Sequence, residues 1–213
     1  MSILSKVAAT LFLGWLAAGC THPRQVRAIA LQPIAFSDTA KLREVQQEVH
    51  GLFGCPVYLL KDIPMPPSFL NRTKGERYSA DSILAWLGQR KPDSVSILVG
   101  LTGKDIFTMK KGEVWGILGL GYCPGHACVI SDARFRGTAP GLYDHRLRAI
   151  TFHEIGHNLG LPHCKTPHCI MNDAEGRIAT VDSCGEHFCA ACRRQPLLLT
   201  AQGPIVPIVL CFK

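Results

Sequence analysis

Between Thr151 and Cys192 the chain gathers most of the side chains able to do chemistry, and the centre of that stretch, His153 to Cys164, reads HEIGHNLGLPHC. His153 and His157 stand four apart. On a helix that spacing stacks their imidazoles on one face, within reach of one metal ion. Glu154, beside them, is the residue type that takes a proton from an attacking water and returns it to a leaving amine. Gly160 can adopt the left-handed conformation that ends a helix, and Pro162 prevents the helix from resuming. The forced turn brings His163 back as a third nitrogen ligand. Three protein ligands leave a fourth tetrahedral position open, as a catalytic zinc requires and a structural zinc does not.

The pattern continues past the histidines. Cys164 is followed after four residues by Cys169, Met171 stands two further on, and after seventeen more come Cys189 and Cys192. Thiolates at these spacings can close a tetrahedral zinc site; in an oxidising compartment the same four can form two disulfides, and spacing alone leaves both open. The full pattern, HExxHxxGxxHC-x4-C-x-M-x17-C-x2-C, resembles that of the archaemetzincins (archaelysins), a metzincin family of zinc metallopeptidases.

The resemblance implies peptide-bond hydrolysis with Glu154 as general base and acid, and two zinc ions. The catalytic ion would be held by His153, His157 and His163, the structural ion by Cys164, Cys169, Cys189 and Cys192. Met171 would form a hydrophobic floor under the first. The resemblance also implies an α+β domain with a mixed twisted sheet, an active-site helix, a cysteine-bound zinc segment, and an edge strand over the cleft that holds substrate by backbone pairing. Ala127 to Ala133, presenting Ala127, Val129 and Ser131, is the expected edge strand; an ordinary hairpin is the alternative. Several metzincin families place a tyrosine soon after the methionine, but the last tyrosine here is Tyr143.

The elements that must position this site read as follows. Val26 to Ile34 alternates as a first strand. Asp38 or Thr39 caps a helix with Leu42, Val45, Val49 and Leu52 at helical spacing, ended by Gly54. Pro56 to Leu60 is a second strand, and a proline-rich loop runs from Pro64 to about Tyr78. Ser79 caps a short helix through Leu87, and Val95 to Leu101 reads as a central strand buried on both faces. This alternation predicts a mixed sheet with crossover helices. Val114 to Ser131 is apolar and glycine-rich, interrupted by a turn at YCPGHAC, Tyr122 to Cys128, with adjacent strands on its flanks. The active-site helix is expected from about Tyr143 to Leu159.

At the other end, Met1 to Gly19 has the single charge Lys6 before an apolar run from Val7 to Ala18, too short to span a bilayer and suited to a signal peptide. The sequence LAAGC resembles a bacterial lipobox, which would make Cys20 the lipidated first residue of the mature protein; an unlipidated secretory signal is the alternative. The expectation is therefore a signal peptide at 1–19 and one domain at 20–213, exported and anchored to a membrane through Cys20, facing the periplasm or cell exterior. Only a few residues separate Cys20 from the first strand, which leaves no room there for a large pro-domain.

Lysine and arginine total 23 against 16 acidic residues, and no basic run with interleaved aromatics marks a nucleic-acid surface. A monomer acting on a peptide or protein substrate, without nucleic acid, is expected. Of the ten cysteines, Cys123 and Cys128 flank a proline-glycine turn and are expected to form a small disulfide; Cys55, Cys184 and Cys211 have no evident partner. His168 and His187 read as surface residues, and the apolar tail from Pro196 as a packed terminal segment. Two rival functions remain: a zinc-bearing scaffold without efficient turnover, and a nucleic-acid-binding zinc module, against which the export signal argues.

Overall fold

The computed structural model describes residues 26–174 and 177–195, together with the backbone of a strand at 206–211. The leader and Cys20 lie outside the described residues.

Strand β1 (Ile29–Ile34) leads into helix α1 (Thr39–Phe53). The Asp38 carboxylate accepts from the Lys41 amide, satisfying one of the free N–H groups of the first turn, and Gly54 at φ 62° closes the other end. After β2 (Val57–Leu59) come the short strands β3 (Leu70–Asn71) and β4 (Arg77–Ser79), then α2 (Ala80–Arg90), capped by the Ser79 hydroxyl. Next follow β5 (Ile97–Thr102), β6 (Ile106–Lys110), β7 (Glu113–Cys123), β8 (Ala127–Ser131) and helix α3 (Pro140–Asn158). The chain ends in α4 (Ile178–Ser183), α5 (Ala190–Arg193) and β9 (Val206–Cys211). Helix α3 begins three residues before the expected start because Pro140 suits a first helical turn, where its missing N–H has no partner to lose.

The strands form one mixed sheet in the order β2-β1-β5-β8-β7-β6-β4-β3, with β9 on β7. The β2, β1, β5 and β8 strands are parallel, and β7 runs against β8. One face buries Ile29, Leu31 and Val99 under Leu42, Val45 and Val49 of α1 and Ile150 and Ile155 of α3. The other buries Ala30, Leu98 and Val129 under Ile83, Leu84 and Leu87 of α2. Every residue of β5 is buried, as its unbroken apolar run requires.

This topology corrects the expected edge strand. β8 lies inside the sheet, with Val129 paired to Gly100 of β5 on one side and to Leu120 of β7 on the other. Its backbone is spent on those neighbours, so Ala127, Val129 and Ser131 have no edge to offer a peptide. Ser131 turns its hydroxyl to the Lys104 carbonyl at 2.6 Å, and the Ala127 carbonyl accepts from Asn158 at 2.9 Å. The strand beyond β8, with an edge facing away from the parallel core, is β7.

Candidate metal centre

Helix α3 is buried over most of its length, including its polar residues His153, Glu154, His157 and Asn158. Such burial is costly unless each polar group is satisfied or used. The Asn158 amide nitrogen is satisfied, donating to the carbonyls of Tyr122 and Ala127, both at 2.9 Å, and tying the end of the helix to the turn between β7 and β8, while its side-chain oxygen has no partner. The helix then stops at Leu159. Gly160 takes φ 90°, and the Leu161 amide reaches back to the Gly156 carbonyl at 3.0 Å, which reverses the chain.

That reversal brings His163 beside the two helical histidines, with ring centroids 5.3 Å from His153 and 4.9 Å from His157, which are themselves 4.5 Å apart. Each ring has its Nδ1 engaged. His153 donates to the Ile170 carbonyl and His157 to the Leu161 carbonyl, both at 2.7 Å, and His163 meets the Asp173 carboxylate at 3.2 Å. The Nε2 atoms therefore carry the lone pairs, and all three are buried without a hydrogen-bond partner. Their ligand atoms lie within 4.8 Å of one another. Burial pushes the His153 imidazole down to about 3 and lowers His157 and His163 as well. Three neutral imidazoles converging on one point, each oriented through its other nitrogen, fit a zinc ion.

Glu154 is fully buried and both of its carboxylate oxygens lack a partner. Burial raises its pKa well above the ordinary carboxylate value, so it is poised to hold a proton. Strand β7 passes directly over it, and only glycine permits that approach. A Cβ on Gly119 would stand 2.6 Å from Oε1, and one on Gly121 3.0 Å from Oε2. Met171 is fully buried against helix α3, where a Cβ on Gly156, between His153 and His157, would stand 2.5 Å from its sulfur. The sequence reading singled out Met171, which is buried against Gly156, but not Gly119, Gly121, Gly156, Asn158 or Asp173. The alternating glycines of β7 and the glycine inside HEIGH were the available signal.

The four cysteines also come together. Cys164 and Cys169 lie in the loop after His163, while Cys189 and Cys192 flank the start of α5. Cys164 Sγ is 3.7 Å from Cys189 Sγ, and Cys169 Sγ is 3.7 Å from Cys192 Sγ. A disulfide needs about 2.05 Å. A tetrahedron with zinc–sulfur arms of about 2.3 Å has edges of about 3.8 Å, which the spacing matches. Backbone amides donate to three of the sulfurs, from Thr166, Cys189 and Cys192. The Cys192 amide is the main reason that the Cys189 thiol is pulled down to about 6, whereas burial pushes Cys169 and Cys192 up. The donor set fits a metal-bound thiolate cluster. His168 stays outside it, bonding the Ser183 carbonyl at 2.8 Å.

The expected Cys123–Cys128 disulfide does not form; both are free. Cys128 pairs with Gly121, which places Cys123 on the diagonal of the β7–β8 ladder. Diagonal neighbours lie about 7–8 Å apart, beyond the usual span of a disulfide. The Cys123 thiol donates instead to the Leu161 carbonyl at 3.5 Å. Cys55 and Cys184 are likewise free, and the Cys211 side chain lies outside the described residues. Tyr143 donates to Asp132 at 2.9 Å, among side chains at the start of α3 rather than at the histidines.

Comparison with known proteins gives concordant results. Residues 41–196 match the sequence model of Peptidase family M54. The chain is 26% identical over 161 residues to an archaemetzincin of Halobacterium salinarum, covering 71% of this chain and 89% of that one. It is 31% identical over 132 residues to an archaemetzincin of Methanopyrus kandleri, covering 62% and 72%. The crystal structure of archaemetzincin from Archaeoglobus fulgidus, complexed with malonate, superposes with a TM-score of 0.68 at 25% identity, over 78% of this chain and 98% of that one.

Proposed function

The chain belongs to peptidase family M54, and from that premise we propose that it hydrolyses peptide bonds at the site formed by His153, His157, His163 and Glu154. The observation that carries this reading is a set of buried, partnerless atoms on one flank of α3: three histidine Nε2 atoms and both oxygens of Glu154. In a stable interior such atoms are a liability of about 1–3 kcal/mol each unless a bound group uses them.

The histidines would hold zinc. When bound, zinc supplies Lewis acidity, polarising the scissile carbonyl and making a nearby water easier to deprotonate. Glu154 takes the proton as that water adds to the carbonyl carbon. It then delivers the proton to the amine nitrogen as the carbon–nitrogen bond breaks, leaving a carboxylic acid and an amine. The elevated proton affinity of Glu154 suits both halves of this exchange. Met171 closes the site from below, and the carbonyls of Ile170 and Leu161 keep two of the ligands in the required tautomer.

A second zinc would be held by Cys164, Cys169, Cys189 and Cys192. Its role would be structural, because the loop it closes carries His163 at one end and Met171 near the other. Export and lipidation at Cys20 complete the proposal. Among the described residues no helix is long and apolar enough to cross a membrane; in this proposal the lipid on Cys20 is the anchor. Partition of the wild-type chain with membranes, and loss of processing in Cys20→Ser, would test the anchor.

Digestion of a peptide library by the purified chain, compared with Glu154→Ala, tests the activity. Cleavage by the wild type that disappears in the variant supports the reading. Equal cleavage by both, or none by a wild type loaded with zinc, overturns it.

A further inference from the structure

We propose that the segment Val206–Cys211 fills the substrate-binding edge of the cleft, and so competes with peptides for it. The competition rests on the peptidase reading above; the occupancy does not.

Strand β7 has two edges. One is taken by β8 at Gly119–Gly121. On the other, β6 pairs only as far as Ile117, so the stretch toward Cys123 is left for another strand. β9 pairs there antiparallel, with Gly119 opposite Leu210, Leu120 opposite Val209, Gly121 opposite Ile208 and Cys123 opposite Val206. This is the backbone pairing an extended peptide would adopt.

The strand that carries this edge stands over the chemistry. Gly119 and Gly121 lie against the Glu154 carboxylate. The histidines face this side too. On α3, Arg148 pairs with Glu48 of α1 at 3.0 Å, and Phe152 packs edge-on against Phe53 of α1. At about 100° per residue, His157 stands roughly 180° and His153 roughly 140° around the helix from Arg148. They therefore project away from α1, which packs on the β1 side, and toward the side of the sheet where β7 lies. The three Nε2 atoms and both Glu154 oxygens are closed to solvent.

The segment's composition fits a strand that can be displaced. Val206, Ile208 and Val209 favour extended backbone. Pro207, opposite Tyr122, has no N–H to donate to any neighbour. The occupant also indicates the substrate class: an extended, apolar, β-branched segment is what this edge accepts.

The test uses the full chain and a Val209→Pro/Leu210→Pro variant. In a strand, successive amides point to opposite sides, so replacing two neighbours removes whichever one bonds β7. Three readouts are needed. Amide hydrogen exchange along Gly119–Cys123 should speed up in the variant. Stripping of zinc from the histidine site by a chelator should become several-fold faster. KM for an apolar extended peptide should fall by about tenfold with kcat unchanged, and a synthetic peptide of the sequence PIVPIVL should restore the higher apparent KM. Unchanged exchange overturns the occupancy. Faster exchange with unchanged KM overturns the competition. Protection that depends on protein concentration would put a second copy's strand on this edge and overturn the intramolecular reading. If exchange and stripping change as expected but neither protein cleaves peptides, the occupancy stands and the peptidase reading fails.

Discussion

The two ligand clusters of this protein lie a few residues apart in sequence and are built in opposite ways. The histidine cluster rests on a long buried helix, and its metal-facing nitrogens receive nothing from the protein. The cysteine cluster rests on loops and a four-residue helix, and backbone amides already bond its sulfurs. A rigid frame with unsatisfied ligands suits a metal that must change partners during a reaction. A loop-built frame with supported thiolates suits one that holds the frame together.

The comparison breaks most sharply at single ligands and their neighbour. His157→Ala should abolish peptide cleavage and release about one zinc per chain, measured by metal analysis, while the fold persists on its two apolar cores. Glu154→Ala should lower kcat by about 10² to 10⁴ fold with both zinc ions retained. Its thermal midpoint should not fall, because the carboxylate removed is buried and bonded to nothing. Loss of zinc in Glu154→Ala would make this residue a ligand and blur the division between base and metal site.

The thiolate cluster should respond in the reverse order, structure first and activity second. Cys189→Ser with Cys192→Ser is expected to release one zinc, expose residues 163–192 to limited proteolysis, and reduce cleavage because His163 and Met171 lose their frame. Retention of two zinc ions, or disulfides among these four cysteines by mass spectrometry, would refute the structural-metal reading while leaving the histidine site intact.

The same contrast explains what could be read from the sequence. Ligands on one helix announce themselves, because the spacing of His153 and His157 is itself the geometry. The turn at Gly160 and the caps at Asp38, Ser79 and Gly54 were equally local and equally legible. Which strand lies at the sheet edge is not local. Ala127–Ser131 has the composition of any buried strand, and only its pairing with both β5 and β7 shows that it is interior. The Cys123–Cys128 disulfide failed for a related reason, since the ladder register places the two residues on a diagonal. β6 and β9 were not anticipated either, as their pairing depends on the length of β7 beyond its neighbours.

A smaller effect lies in the contact that orients the third ligand. His163 meets Asp173 at 3.2 Å, but the Asp173 side chain is 45% exposed. Partners of this kind contribute about 10–100-fold to metal affinity, and solvent screening puts this one near the lower end. Asp173→Asn should weaken zinc binding at the histidine site by about tenfold, read by competition with a chelator, and leave the cysteine-bound zinc untouched. Equal weakening of both metals would mean that the two clusters are not independent.

The finest test of the histidine cluster's rigidity is Gly156→Ala, where two effects on stability oppose each other. Alanine in a helix interior is favoured over glycine by about 1 kcal/mol. Against this, the new methyl would stand 2.5 Å from the Met171 sulfur and 3.0 Å from the Phe188 ring. The sulfur belongs to a flexible side chain that can shift, at a cost of about 1–3 kcal/mol for a crowded core. The thermal midpoint should therefore move little. Activity has no such compensation if Met171 is the floor proposed for the metal site: its displacement should then lower kcat several-fold. A companion Met171→Ala change, which makes room for the methyl, should leave kcat no lower in Gly156→Ala/Met171→Ala than in Met171→Ala alone. If the two changes instead multiplied, Gly156 would matter for the helix itself and not for the approach of the methionine.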